Sequence, residues 1–351
     1  MANGKIKVLI VDDSAVVRNI LSDALASDPE IEVVGTAPDP FVAREKIIQL
    51  KPDVITLDVE MPRMDGITFL RKLMAAKPMP VVMVSAMTQK GASTTLAALE
   101  AGAVEIVAKP PIDQRVGVRE IQQEVVDKVK AASKAKMSVY ASQINRKLDT
   151  STIISSTSLL KTTDKIIAIG SSTGGTEALK EVLIRLPTST PGMVIVQHMP
   201  EGFTKAFSDR LNSLCQLQVK EAEDGDGVIP GRALIAPGNK QMIFRRSGAK
   251  YYVEVKEGPQ VMRHRPSVEV LFQSVAKFAG PNAVGVMLTG MGNDGSTGML
   301  AMKNAGSYNI AQDEASCVVF GMPKEAIKLG AVDQVLHLDK IPQAMLDAAT
   351  R

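Results

Sequence analysis

KIIAIGSSTGGTEAL, residues 165–179, decides how this chain is read. An unbroken apolar run, then a serine flanked by glycines, then apolar residues at helical spacing predicts a buried strand, a sharp turn and a helix. A run apolar at every position suits a strand covered on both faces, as in a parallel α/β sheet. Ser172 falls in the turn, inside Gly170-Ser171-Ser172-Thr173-Gly174, which fits G-x-S-x-G. The glycines allow a turn that exposes a hydroxyl, and the helix N-terminus brings a dipole and free N–H groups to a developing oxyanion. A glycine-rich turn between strand and helix equally suits a phosphate. This one, however, carries neither G-x-G-x-x-G nor the G-K-[ST] of a P-loop.

A serine nucleophile needs a base. The chain has three histidines, His198, His264 and His337. His198 follows the apolar run MVIVQ and is expected at a strand end, so it is the candidate base. His264 stands between Arg263 and Arg265, which suits a surface or substrate-contact role; His337, in VLHLD, reads as structural. An orienting carboxylate should come from another strand end, and Asp294 in VGVMLTGMGNDG supplies it. Backbone N–H groups of Thr173 and Met291 are the candidate oxyanion donors. The order Ser, His, Asp differs from the Ser, Asp, His of an α/β-hydrolase.

The first third of the chain repeats the alternation of strands and helices. KIKVLIV, IEVVGTA, DVITL, PVVMV and VEIVA read as five strands separated by helical stretches, an open doubly wound sheet. Asp12 and Asp13 follow the first run, Asp58 the third, Ser85 the fourth and Lys109 the fifth. If the runs are parallel neighbours, all these side chains meet at one sheet edge. Three carboxylates around one point favour a hard cation such as Mg²⁺. Ser85 and Lys109 add a hydrogen bond and a positive charge for an anion, which equips the edge for phosphoryl transfer onto a carboxylate.

VDDSAVVR, TLDVEMPRMDG, MVSAMT and AKPP resemble a response-regulator receiver domain. The resemblance implies that Asp58 accepts the phosphoryl group, that Asp12, Asp13, Asp58 and the Glu60 carbonyl hold Mg²⁺, and that Ser85 and Lys109 sense the phosphate. Receivers usually carry Tyr or Phe three residues before the lysine; here Ile106 stands there, so the signal must travel otherwise. IGSSTGGTEAL, QHMPEGF, VMRHRPSVEVLF, LTGMGNDG and ASCVVFGMP together resemble the chemotaxis protein-glutamate methylesterases. That resemblance implies a triad of Ser172, His198 and Asp294, with Ser171 a small neighbour. The implied substrates are glutamate γ-methyl esters on chemoreceptors, with glutamine deamidation as a second activity. It also implies that the unphosphorylated receiver covers the active-site face.

Composition sets limits on these readings. The chain has 351 residues, enough for two domains, and 45% hydrophobic residues, enough for two cores. There is no Trp among its residues and there are 18 Met, so the cores must be aliphatic with Met filling gaps. Between Lys128 and Lys165 lie eight basic and two acidic residues, a net +6 against +3 for the whole chain. That stretch is rich in Ser, Thr and Lys and reads as a solvated tether, and near-neutral domains beside it argue against nucleic acid as a partner. Two cysteines without metal-ligand spacing, no signal peptide and no apolar run near ~20 residues point to a cytoplasmic protein that does not insert in a membrane.

The expectation is therefore two doubly wound α/β domains. The first is a flavodoxin-like receiver over residues 1–127, followed by a flexible tether over 128–163. A mainly parallel hydrolytic domain over 164–351 completes the chain, with RALIAPG and YYVEV in an antiparallel region. The expected activity is a phosphorylation-activated serine hydrolase with no cofactor in its catalytic domain. Its expected partners are chemoreceptors and a histidine kinase, and a monomer is expected. A DNA-binding regulator would need a basic recognition helix, which the second half lacks. A non-catalytic receptor-binding adaptor is the alternative, opposed by an intact Ser172, His198 and Asp294.

Overall fold

The structure, a computed structural model, describes residues 4–85, 89–109, 118–145, 154 and 165–351, and the chain divides into two compact units, Met1–Asn145 and Arg146–Arg351. In the first unit five strands alternate with helices: β1 (Ile6–Val11), α1 (Ala15–Ala26), β2 (Ile31–Ala37), α2 (Pro40–Leu50), β3 (Val54–Asp58), α3 (Gly66–Ala76), β4 (Val81–Ser85), α4 (Gln89–Glu100) and β5 (Glu105–Ala108). Two more helices follow, α5 (Val118–Ser133) and α6 (Met137–Asn145). The sheet order is β2-β1-β3-β4-β5, and every pairing is parallel. Val8, Leu9, Ile10, Val54, Ile55, Leu57, Val81, Val82 and Met83 are fully buried because helices cover both faces. Burying each such side chain contributes roughly 1.5–3 kcal/mol.

Order reverses on either side of β1, so the first crossover goes one way and the next goes the other. Beyond the carboxyl ends of β1 and β3 this leaves a crevice, the usual place for a site in such a sheet. The loop after β3 is held by a close approach: a Cβ on Gly66 would lie 1.9 Å from the Asp58 carbonyl oxygen. The helices that leave the loops after β1, β2 and β3 are capped by sequence-local carboxylates and hydroxyls, Ser14 on α1, Asp39 on α2 and Asp65 on α3.

The first unit extends past residue 127. Helix α5 runs to Ser133 and α6 occupies part of the expected tether. Tyr140 on α6 is fully buried, and its hydroxyl donates to the carbonyls of Ala103 and, at 3.4 Å, Leu99. Composition hid this because Val129, Ala131 and Ala132 are buried among charged residues on α5, and Tyr140 is buried on the short polar helix α6. Residues 146–153 and 155–163 of the expected tether lie outside the described residues, as do Ala86–Thr88 and Pro110–Pro111 of the quoted motifs.

The second unit contains β6 (Ile166–Ser171), α7 (Gly175–Leu183), β7 (Gly192–Gln197), α8 (Phe203–Leu214), β8 (Gln218–Glu221), β9 (Arg232–Ile235), β10 (Gln241–Ser247) and β11 (Lys250–Lys256). It continues with α9 (Val268–Phe278), β12 (Ala283–Met287), α10 (Ser296–Asn304), β13 (Tyr308–Gln312), α11 (Met322–Lys328), β14 (Gln334–Leu336) and α12 (Ile341–Ala349). Seven strands form one parallel sheet ordered β14-β13-β12-β6-β7-β9-β8. Strand β6 lies in the middle, with β7 on one side and β12 on the other, so its edge with β12 is the switch point. Two strands, β10 and β11, form the antiparallel hairpin. RALI belongs instead to β9 and pairs in parallel with β7, because its alternate faces are all covered and it adds a neighbour on that side of the sheet. The core joins both layers: Phe244 and Val253 of the hairpin pack with Leu271, Phe272 and Val275 of α9 and Met299 and Met302 of α10.

Tyr140→Ala should lower the stability of the first unit by about 3–5 kcal/mol, the usual cost of deleting a buried aromatic ring. Tyr140→Phe should cost about 1 kcal/mol for the lost hydrogen bond. Urea unfolding reads both. A residue on a solvated tether would shift stability by less than ~0.5 kcal/mol in either variant.

Candidate active site and phosphoacceptor site

Ser172, His198 and Asp294 converge at the switch point of the second sheet. Ser171 and Gln197 are register partners on β6 and β7, so Ser172 and His198 leave neighbouring strands side by side. The backbone keeps them there: the His198 N–H donates to the Ser171 carbonyl at 3.2 Å, and the Ser172 N–H to the Thr289 carbonyl at 3.0 Å. The side-chain amide of Gln197 donates to both the Ser172 and His198 carbonyls, at 3.0 and 3.2 Å. Ser171 in turn donates its hydroxyl to Gln197 Oε1 at 2.8 Å. Ser171 is fully buried and committed to this clamp; Ser172, itself buried at 6% exposure rather than projecting from the surface, stands in the turn before α7.

Asp294 comes from the loop after β12. A Cβ on Gly290 in that loop would meet Ser172 Cβ at 2.8 Å, so only glycine lets the loop pass this close. Gly290, Gly292 and Gly295 have the G-x-G-x-x-G spacing of a dinucleotide fingerprint. The Asp294 carboxylate, however, lies within that turn and would repel a pyrophosphate. Asp294 is buried, yet saturated with donors. Oδ1 accepts from Ser267 Oγ at 2.7 Å and the Glu269 N–H at 3.0 Å; Oδ2 accepts from the Val268 N–H at 2.7 Å. Three of these donors belong to the N-terminal cap and first turn of α9, so the helix dipole also favours the anion. His198 Nε2 lies 2.7 Å from Oδ2.

Burial raises the Asp294 carboxyl's proton affinity, but hydrogen bonds and charge from His198 and the bond from Ser267 outweigh it and hold the pKa below the usual 3.8. An ionised Asp294 requires an N–H at His198 Nε2. The neutral imidazole then has its lone pair on Nδ1, which is buried and has no hydrogen-bond partner. Ring nitrogens are thus used in the opposite sense from the chymotrypsin triad, where Nδ1 faces the aspartate.

Ser267, Gln197 and Gln241 were not singled out from the sequence. Gln241 Oε1 accepts the Ser267 N–H at 3.0 Å and its amide donates to the Pro259 and His264 carbonyls, tying the segment before α9 to the hairpin. The P-S-V-E start of a helix could have flagged Ser267 as a cap; nothing local marks Gln241. His264 is brought onto the site: its ring stacks on His198 with centroids 3.7 Å apart and 14° between planes. His337, after the edge strand β14, pairs with Asp339 at 2.7 Å on the surface and takes no part.

The other predicted cluster assembles in the first unit. Carboxylate oxygens of Asp12, Asp13 and Asp58 all lie within 4.8 Å of one another. Arg18 donates to the Asp12 and Asp13 carbonyls at 2.8 and 3.0 Å and sets the loop after β1. Lys109 Nζ lies 2.7 Å from Asp58 Oδ2 and 3.1 Å from Asp12 Oδ2, charge contacts that leave both oxygens without a well-directed hydrogen bond. The Lys109 backbone donates to the Ser85 carbonyl at 2.7 Å, which keeps the two phosphate-sensing candidates together. Burial, opposed by Lys109 and reinforced by Asp12, pushes Asp58 up to about 6. One ammonium cannot neutralise three carboxylates, and two of them, Asp12 and Asp58, are buried. An oxygen-only set with residual negative charge fits a hard divalent cation. Ile106 is buried on β5.

Two doubly wound α/β units define the class: an acidic-edged domain followed by a parallel sheet with Ser, His and Asp at its switch point. Residues 167–345 match the family described as CheB methylesterase, and residues 8–122 that described as response regulator receiver domain. Protein-glutamate methylesterase/protein-glutamine glutaminase 2 of Syntrophus aciditrophicus (strain SB) is 58% identical over 337 residues, 96% of this chain and 97% of that one. The protein-glutamate methylesterase/protein-glutamine glutaminase of Escherichia coli (strain K12) is 55% identical over 342 residues, 97% of this chain and 96% of its own. The crystal structure of the Thermotoga maritima CheB methylesterase catalytic domain superposes with a TM-score of 0.51 at 41% identity, covering 52% of this chain and 97% of that one. The chain belongs to the CheB methylesterase family.

Because its folded pKa is depressed, Asp294 adds stability that is complete above the unfolded value near 3.8 and is lost as pH falls through the lower folded value. Asp294→Asn should therefore destabilise the second unit by about 1–3 kcal/mol at pH 7. Denaturant unfolding at a series of pH values should show that deficit constant down to mildly acidic pH and shrinking below it. A deficit that grew in acid would show that the carboxyl is held neutral.

Proposed function

We propose that this protein is a chemotaxis protein-glutamate methylesterase and protein-glutamine glutaminase. It would hydrolyse glutamate γ-methyl esters, and deamidate glutamines, on chemoreceptors, under control of phosphorylation at Asp58. Family membership supports the reaction class. The observation that carries the residue assignment is the orientation of His198: Nε2 is committed to Asp294, and the buried, unpartnered Nδ1 is left as the base.

Ser172 Oγ attacks the ester carbonyl carbon while His198 Nδ1 takes its proton. Asp294 stabilises the imidazolium, and its bonds to α9 spare it from reorganising at that moment. Backbone N–H groups of Thr173 and Met291 receive the oxyanion. The tetrahedral intermediate collapses, and His198 returns the proton to the leaving methoxide, which departs as methanol; from a glutamine the leaving group is ammonia. Water, deprotonated by the same nitrogen, then attacks the acyl-enzyme and releases glutamate and Ser172. The catalytic unit needs no cofactor for these steps.

In the receiver, Asp58 accepts a phosphoryl group from a histidine kinase. Asp12, Asp13, Asp58 and the Glu60 carbonyl would hold Mg²⁺, which when bound supplies charge neutralisation for the incoming phosphoryl oxygens. Phosphorylation adds about −1.5 to −2 charge. Lys109 is the nearby cation, already between Asp12 and Asp58, and Ser85 can donate beside it. The unphosphorylated receiver restrains the catalytic unit, and the phosphoryl group relieves that restraint. A cytoplasmic location fits both partners, and among the described residues no helix is long and apolar enough to cross a membrane.

Ser172→Ala should reduce methanol release from methylated receptor by about 10⁴–10⁶-fold with the fold intact. Loss in Ser171→Ala alongside near-normal Ser172→Ala would assign the other serine. Asp58→Asn should abolish stimulation by phosphodonor and Mg²⁺ while basal hydrolysis persists. A fragment from residue 164 onward should be constitutively active and indifferent to both. A fragment less active than the unphosphorylated full chain would show that the receiver activates by contact.

A further inference from the structure

We infer that His264 is a positioning residue for the base: its ring, stacked on His198, holds the imidazole plane that aims Nδ1. The inference rests on the reading of Ser172, His198 and Asp294 as the reacting set. A single hydrogen bond, His198 Nε2 to Asp294, fixes one atom of a ring. The ring can still swing about that contact, and swinging displaces Nδ1, the atom that must meet the serine proton. A parallel plane in van der Waals contact removes this freedom. His264 supplies one at 3.7 Å and 14°. The stack also covers one face of His198 from water, consistent with its burial.

His264 is itself held by backbone geometry. Its N–H donates to the Val261 carbonyl at 2.9 Å and its carbonyl accepts the Val261 N–H at 3.0 Å, closing a two-residue turn. Met262 and Arg263, the two residues inside that turn, have φ of 51° and 68°. This is the pattern of a type I′ turn, which Asn and Gly ordinarily fill. Two non-glycine residues in left-handed conformation persist only where the surroundings over-determine them, and such strain gathers at functional sites. Here the surroundings are the Gln241 amide, which grips the His264 carbonyl at 3.3 Å, and the segment leading directly to Ser267, the cap that holds Asp294. One continuous segment, 261–269, therefore positions both neighbours of the base: the stacking ring over its face and the carboxylate on its edge.

A planar ring, not a charge or a proton, is what the stack requires. His264→Phe should keep kcat for methylated receptor within about threefold. His264→Leu, similar in bulk but without a flat face, should lower kcat by about 10–100-fold with KM within twofold, the scale expected when a reacting group is mis-aimed. His264→Ala should behave as the Leu variant. The same order should appear in the rate at which a fluorophosphonate labels Ser172 in the full-length chain with phosphodonor and Mg²⁺ present, a readout that needs no receptor. Equal loss in Phe and Leu variants would overturn the stacking role. So would a raised KM with unchanged kcat, which would make His264 a substrate contact. If His198→Ala itself retained turnover, the reading of the reacting set would fail, whatever His264 does.

Discussion

The second unit depends on one topological constraint: β6 is the first strand of a parallel sheet that grows outward from it in both directions. Crossovers leaving opposite ways open a crevice past the end of β6. Ser172, His198 and the Asp294 loop occupy that crevice because they are the residues immediately beyond β6, β7 and β12. The same constraint operates in the first unit, where the reversal around β1 brings Asp12 and Asp13 beside Asp58. Two different chemistries thus use one geometric solution in one chain.

Within the catalytic crevice, the fate of a buried negative charge organises the rest. A carboxylate out of water is unstable unless donors replace its hydration. Asp294 meets this requirement with the first turn of α9, the Ser267 hydroxyl and the His198 ring. Each of those donors becomes fixed in return. The helix start is locked, the imidazole tautomer is set, and the lone pair is delivered to Nδ1 before any substrate arrives. Electrostatic preorganisation of this kind costs nothing during the reaction, since the dipoles are already aligned. In the receiver the balance is incomplete: among the described residues Lys109 pairs with Asp12 and Asp58 while Asp13 adds a third carboxylate beside them, and the remaining negative charge favours a divalent cation.

Much was legible in the sequence because strand-end residues can be read in one dimension. An apolar run followed by Ser, His or Asp names both a strand and the residue at its mouth. This is why Ser172, His198, Asp12, Asp13 and Asp58 could be picked out without coordinates. The reading failed where burial is sparse or pairing is distant. Residues 128–145 look like a tether, yet Tyr140 anchors a helix to the carbonyls of Leu99 and Ala103. RALI resembles a strand of a meander, yet it extends the parallel sheet next to β7.

The sequence by itself determined the α/β alternation, the two-unit plan and the strand-end side chains, because those follow from local periodicity and from what each apolar run must bury. Only the tertiary structure decided which nitrogen of His198 faces Asp294, that Ser267 and two backbone amides hold that carboxylate, and that the His264 ring lies on His198. These contacts join residues from separate strands, turns and a helix cap, tens of positions apart in the chain. No local propensity encodes such a pairing; it exists only once the sheet has brought its carboxyl ends to one edge.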